Sequence, residues 1–138
     1  MEGINRRTAM AVGLTVAAAS AVPLSAKAAM YGAEDGEPFP KGEGIRVVAL
    51  SERPTAIEGF KSAKLLDLVF QPGAKLPETP MDMAMICHVI EGELEITNNG
   101  EKFTAKKDQV WTCNAGGTEA VDNVSGEPAV MRVGQLLT

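Results

Sequence analysis

The sequence is short of histidine, cysteine and aromatic residues: its 138 positions hold one His, two Cys, one Trp, one Tyr and four Phe. A single His rules out any centre that needs several imidazoles, which removes multi-histidine iron, manganese and zinc sites. No Gly-x-Ser-x-Gly elbow occurs, and a nucleophile–His–acid set has only His88 to draw on. So few aromatics leave little for stacking bases, and a net charge of −5 repels phosphate, so nucleic acid is not expected as a partner. No phosphate-cradling loop is present, since Gly116-Gly117 reads as a turn. Helical periodicity is nearly absent, and only Thr55 to Lys61 has the pattern for a helical turn. Against these gaps, 45% hydrophobic and 22% charged residues are ordinary values for one globular domain.

The first thirty residues have a separate character. Arg6 and Arg7 make a basic head, Met10 to Leu24 is an apolar run rich in Ala and Val, and Ala26-Lys27-Ala28 offers small residues for cleavage. The run is short for a bilayer span and is broken by Gly13, Ser20 and Pro23. Residues 1–28 therefore read as a signal peptide, with an uncleaved helical anchor as the alternative. The arginine pair resembles the twin-arginine export signal, with Ala9 and Met10 where Phe and Leu are usual, so both Sec and Tat routes stay open. Either route makes the product periplasmic or secreted. Removing residues 1–28 takes away Arg6, Arg7, Lys27 and Glu2, a net +2, and leaves about −7. Such an acidic domain has no stable hold on anionic lipid once the leader is gone.

Residues 29–44, rich in Gly, Pro, Glu and Asp, read as an irregular arm, and 45–138 as the folded domain. That domain is a series of short β-type runs: Arg46–Leu50, Ala63–Phe70, Met83–Ile90, Glu93–Thr97, Lys102–Ala105, Gln109–Thr112, Glu119–Val124 and Val130–Leu136. Glu91-Gly92 and Asn98-Asn99-Gly100 read as tight hairpin turns. Many short strands with almost no helix predict an all-β sandwich or barrel.

Gln71-Pro72-Gly73, followed by Val89-Ile90-Glu91-Gly92-Glu93-Leu94-Glu95-Ile96, resembles the first conserved motif of the cupin superfamily. Asp108-Gln109-Val110-Trp111, Gly116-Gly117-Thr118, Val121 and Asn123 resemble parts of the second. The resemblance covers roughly Arg46 to Leu136. It implies a small double-stranded β-helix of the single-domain Cupin_2 kind, which often pairs as a dimer through sheet faces and edge strands. It also implies where metal ligands would stand. The family's His-x-His pair falls on Thr79 and Met81, its Glu on Met85 and its last His on Glu119. None of the four positions carries the family's residue, so no His-based site is expected.

In the register that the resemblance implies, Met81, Met83, Met85 and Cys87 share one strand face, turned into the barrel, and His88 and Asp82 face outward. The resemblance also makes the strand of Cys87 and the strand of Cys113 neighbours. Three readings of this sulfur-rich lining stay open. One is a Cys87–Cys113 disulfide, suited to an oxidising compartment. The second is a soft-metal site for Cu(I) from Met81, Met85, Cys87 and Cys113. The third is plain apolar packing, for which Met is common filler. Glu119 stands out as a carboxyl either desolvated in the cavity, where it can serve as a general acid or base, or lying in water at the strand mouth. Trp111 is a candidate for the pocket mouth.

The expected function is thus that of an exported cupin whose cavity holds a small apolar ligand or a soft metal ion. Met81, Met83, Met85, Trp111 and Glu119 would be the ligand-binding residues. The alternative is a metal-independent isomerase or lyase with Glu119 as general base. A third reading gives the barrel a role in assembly alone.

Overall fold

Strands that are apolar on one face, or on both, need a second layer, and this chain supplies one by folding its sheet over on itself. The computed structural model describes residues 30–138, so the leader expected over 1–28 lies outside the described residues. Ten strands follow: β1 (Glu37–Pro38), β2 (Ile45–Pro54), β3 (Ser62–Phe70), β4 (Lys75–Pro80), β5 (Ala84–Glu91), β6 (Glu93–Asn98), β7 (Glu101–Lys106), β8 (Val110–Cys113), β9 (Thr118–Asp122) and β10 (Ala129–Leu137). A six-stranded sheet has the order β1-β2-β3-β10-β5-β8, and a four-stranded sheet the order β4-β9-β6-β7. Every strand pair is antiparallel. This is the jelly-roll expected, and no helix among the described residues is long and apolar enough to cross a membrane.

The core lies between the two sheets. Leu66, Leu68 and Phe70 of β3, Val89 of β5, Leu94 and Ile96 of β6 and Val121 of β9 are all buried there. Their alternation with outward residues matches the two-residue period of a strand. Asn98-Asn99-Gly100 makes the expected hairpin, pairing Asn98 with Glu101 while Asn99 and Gly100 take positive φ of 50° and 83°.

Glu91-Gly92 does something else. β5 pairs with β10 and β8, and β6 pairs with β7 and β9, so this dipeptide is a corner where the chain leaves one sheet for the other. Gly92 has φ 75°, and a Cβ there would meet the Pro128 carbonyl at 2.8 Å. Three other expectations change. β4 had not been foreseen, because Pro77 and Pro80 hide a strand that pairs with β9. Thr55 to Lys61 forms a turn closed by Phe60 N–H to the Ile57 carbonyl, not a helical turn. Met81 to Met83 lie between β4 and β5 and not on a strand.

The arm is turns and bends apart from the two-residue β1, yet it is docked on the barrel, and the compact unit begins at Tyr31. β1 pairs with β2, and Arg46 donates to the carbonyls of Glu34, Asp35 and Gly36 at 3.1, 3.0 and 2.7 Å. Behind the site, Asn123 is 1% exposed and fully bonded. Its Nδ2 donates to the carbonyls of Phe70, Gln71 and Glu127, and its Oδ1 accepts from Ser125 N–H and Oγ. Those bonds pin the Gln71-Pro72-Gly73 turn against the β9–β10 connection.

Candidate functional site

A cavity of about 180 Å³ opens between the sheets. β2, β3 and β10 contribute Val47, Leu66, Leu68, Met131 and Val133 as its apolar floor. Met81, Met83 and Met85 form one side, and the arm brings in Phe39 and Lys41. The segment from Met81 to Met83 is held although it is not a strand: Met81 N–H donates to the Gly117 carbonyl, and Gly116 N–H donates to the Met81 carbonyl, both at 2.8 Å. One expectation is revised here, and two lining residues are new. Asp82 was placed on the outward face, but once the strand ends at Pro80 the alternation lapses, and Asp82 borders the cavity. Phe39 and Lys41 had been missed, since nothing in the arm's composition says where it docks.

Glu119 on β9 closes one end. It is 1% exposed, so the reading that put it in water at the strand mouth does not hold. Its Oε2 accepts the indole N–H of Trp111 and the thiol of Cys113, each at 2.8 Å, and neither donor reaches Oε1. Burial pushes the Glu119 carboxyl above its usual range, while the bonds from Cys113 and Trp111 pull it back.

Trp111 does not line this cavity. Its ring packs edge-on against Phe103 with centroids 5.9 Å apart, and its polar edge is spent on Glu119. It positions the carboxyl from behind.

Both cysteines are free and buried, so the disulfide is not the arrangement found. The register supplies a reason. Across β5 and β8, Cys87 stands opposite Trp111, and Cys113 stands opposite Met85, so the two cysteines are diagonal neighbours. Diagonal positions are about 7–8 Å apart, beyond the usual disulfide separation. Their side chains nevertheless share the inner face. Cys87 Sγ, Cys113 Sγ and a Glu119 carboxylate oxygen all lie within 4.8 Å of one another. The hydrogen bond with Cys113, then burial, then the Glu119 charge hold the Cys87 thiol well above the ordinary thiol range. Cys87 borders the cavity and Cys113 lies behind it. The expected four-sulfur set is thereby regrouped: Cys87, Cys113 and Glu119 meet, Met85 faces Cys113, and Met81 belongs to the cavity side.

The outer face of the six-stranded sheet carries a second polar cluster. Val48, Asp67, Arg132, His88 and Val110 form one row across β2, β3, β10, β5 and β8. Asp67 is 0% exposed. Its Oδ1 takes Arg132 Nε at 2.8 Å, and its Oδ2 takes Arg132 Nη2 at 2.9 Å and the Tyr31 hydroxyl at 2.6 Å. The arm is thus anchored on the outside of the same sheet whose inner face it helps to wall. His88 sits in this outer row, so the residues present do not fit the imidazole-bound metal of cupin enzymes.

The fold resembles solved cupin domains. The chain matches the cupin domain of Schizosaccharomyces pombe Cnp3 with TM-score 0.57 and 20% identity, over 70% of this chain and 66% of that one. It matches the Cupin_2 domain of an XRE-family transcriptional regulator from Enterobacter cloacae with TM-score 0.55 and 24% identity, over 67% and 96% of the two chains. An RmlC-like cupin from Shewanella frigidimarina matches with TM-score 0.60 and 11% identity, over 78% and 88%. No family model matches the sequence, and no curated protein matches it. This chain has the cupin fold. At these identities the likeness fixes the architecture, and the site must speak through its own residues.

Proposed function

We propose that this chain is a binding protein that takes one compact, mainly apolar molecule into the barrel. The observation that carries the reading is the cavity itself: about 180 Å³, floored by Leu66, Leu68, Met131 and Val133, with one buried carboxyl at its end. An apolar cavity of about 150 Å³ is enough for benzene, so the ligand is a single ring or a short branched chain. Glu119 Oε1 and Lys41 supply two polar points for orientation.

Methionine-methyl NMR on the full chain tests this. Adding benzene or toluene should shift the methyls of Met81, Met83, Met85 and Met131. Val133→Phe, which fills the floor, should abolish the shifts. If no single-ring or short branched probe moves the cavity methyls, or if Val133→Phe leaves the response intact, the reading fails.

One observation favours proton transfer as a second reading: a desolvated carboxyl borders the cavity. It predicts solvent deuterium entering C–H positions of a bound ligand, and no such exchange in Glu119→Gln.

Export is part of the proposal, supported by the pattern from Arg6 to Ala28. Cell fractionation with N-terminal sequencing should find the protein outside the cytoplasm and starting at Ala29. A cytoplasmic product that keeps Met1 would refute it.

A further inference from the structure

We infer that the end of the cavity is a site for one soft monovalent metal ion, Cu(I), held by Cys87 Sγ and Cys113 Sγ with the Met85 thioether as third donor. The inference rests on the reading of the cavity as a binding site and names a second ligand class for it.

Geometry comes first. An ion about 2.3 Å from each of two sulfurs needs them no more than about 4.6 Å apart. The two Sγ atoms already lie within 4.8 Å, on the same inner face of β5 and β8. Met85 is directly across the ladder from Cys113, where facing residues have Cβ atoms about 4.5–5.5 Å apart. Among the described residues its sulfur takes a long contact of 3.9 Å from Gln135 Nε2. A thioether is a poor acceptor, so that contact gives way easily.

The donor set chooses the ion. Thiolate with thioether selects Cu(I), whereas Zn(II) asks for four donors in a tetrahedron and takes thiolate, imidazole or carboxylate. The cluster has no imidazole, since the one His lies in the outer row of the sheet. Glu119 is a third neighbour, its Oε2 accepting from Trp111 and from the Cys113 thiol, but a carboxylate oxygen is a hard donor that a soft ion does not favour over sulfur. A path is also present. Met81, Met83 and Met85 line the cavity that leads to Cys87, and each offers a thioether to an ion passing inward. Each thiol that ligates gives its proton to solvent, so Cu(I) exchanges for protons and no electron is transferred.

The test is an anaerobic titration of the reduced full chain with Cu(I) in competition with a coloured Cu(I) chelator. One equivalent per chain should be withdrawn from the chelator. Cys87→Ser and Cys113→Ser should each weaken uptake by a hundredfold or more, and Met85→Leu by about tenfold. X-ray absorption at the copper edge of the wild-type complex should show a sulfur shell, and this readout does not depend on any variant folding. Absence of uptake by the wild type, uptake unchanged in both cysteine variants, a nitrogen or oxygen shell, or Zn(II) held more tightly than Cu(I) would each overturn the inference. The methyl-NMR response to benzene or toluene is measured on the same sample without metal. If that response persists while copper uptake fails, only the metal site falls. If copper binds and no probe moves the methyls, the small-molecule reading falls instead.

Discussion

Replacing Arg132 by Met should remove about 3 kcal/mol of stability, and the outer-face cluster shows why. Asp67 is fully buried, and three of its four close hydrogen-bonding opportunities are filled, two by Arg132 and one by Tyr31. Met keeps most of the apolar stem of Arg and deletes the charge. Removing one partner of a buried ion pair costs about 3–5 kcal/mol, because the other charge is left in a poor solvent. The Arg132 side chain is 29% exposed, so water reaches part of the cluster and the lower end of that range applies. A domain of this size has about 5–15 kcal/mol in total, so the loss is easily seen. The assay is urea unfolding of the full chain at neutral pH, followed by the fluorescence of Trp111, the only Trp. Tyr31→Phe should cost about 1.5 kcal/mol by the same assay, the low end for one hydrogen bond to a charged group because the site is half-buried. The double change Asp67→Leu with Arg132→Met removes both charges and should recover most of the loss. A cost below about 1 kcal/mol for Arg132→Met, or a double variant no more stable than Arg132→Met alone, would refute the reasoning.

The same cluster sets a pH dependence. Burial, then the bond to Asp67 and its charge, raise Tyr31 above its ordinary value of 10.0. The arm's anchor is therefore intact below pH 10 and is lost as pH climbs through the folded value. Phenolate absorbance isolates this group because the chain has one Tyr, and a midpoint at or below 10.0 would sink the idea. Asn123→Ala should cost on the order of 3 kcal/mol in urea unfolding, since it strands buried carbonyls and opens a cavity; a loss under about 1 kcal/mol would mean that water replaces its bonds. Gly92→Ala should cost more than Gly100→Ala, because both have positive φ but only Gly92 has a carbonyl in the way. Equal losses in thermal unfolding would show that the corner yields.

A continuous apolar run was enough to read β3, alternation to read β6, and turn chemistry to read the hairpin at Asn99-Gly100, because these signals are local. β4 was not legible: Lys-Leu-Pro-Glu-Thr-Pro has one buried apolar residue, Leu76, and its pairing is decided by β9, far along the chain. Glu91-Gly92 carries a hairpin signal that serves a corner equally well, and only the partners of β5 and β6 distinguish the two. At the site, the resemblance implied the face of Met85 and Cys87 and left Glu119 open between the cavity and water, so depth was not legible. Depth came from Trp111 and Cys113, donors on another strand that no spacing reveals. The sequence does carry one signal for the arm. Asp67 stands inside Leu-Leu-Asp-Leu-Val-Phe, and a charge within an apolar run requires a partner from elsewhere.

The order of the strands has a consequence for how this barrel meets other proteins. An open sheet edge invites a further strand, and each of the four edges here is spoiled. β1 is two residues long and contains Pro38, and β8 is only four residues long. β4 carries Pro77 and Pro80, and β7 carries Lys102 and Lys106. Polymerisation by strand addition is thereby discouraged at both ends of both sheets. Apolar surface on the larger sheet lies instead on its broad outer face, where Leu65, Ile86 and Val110 stand exposed among the described residues.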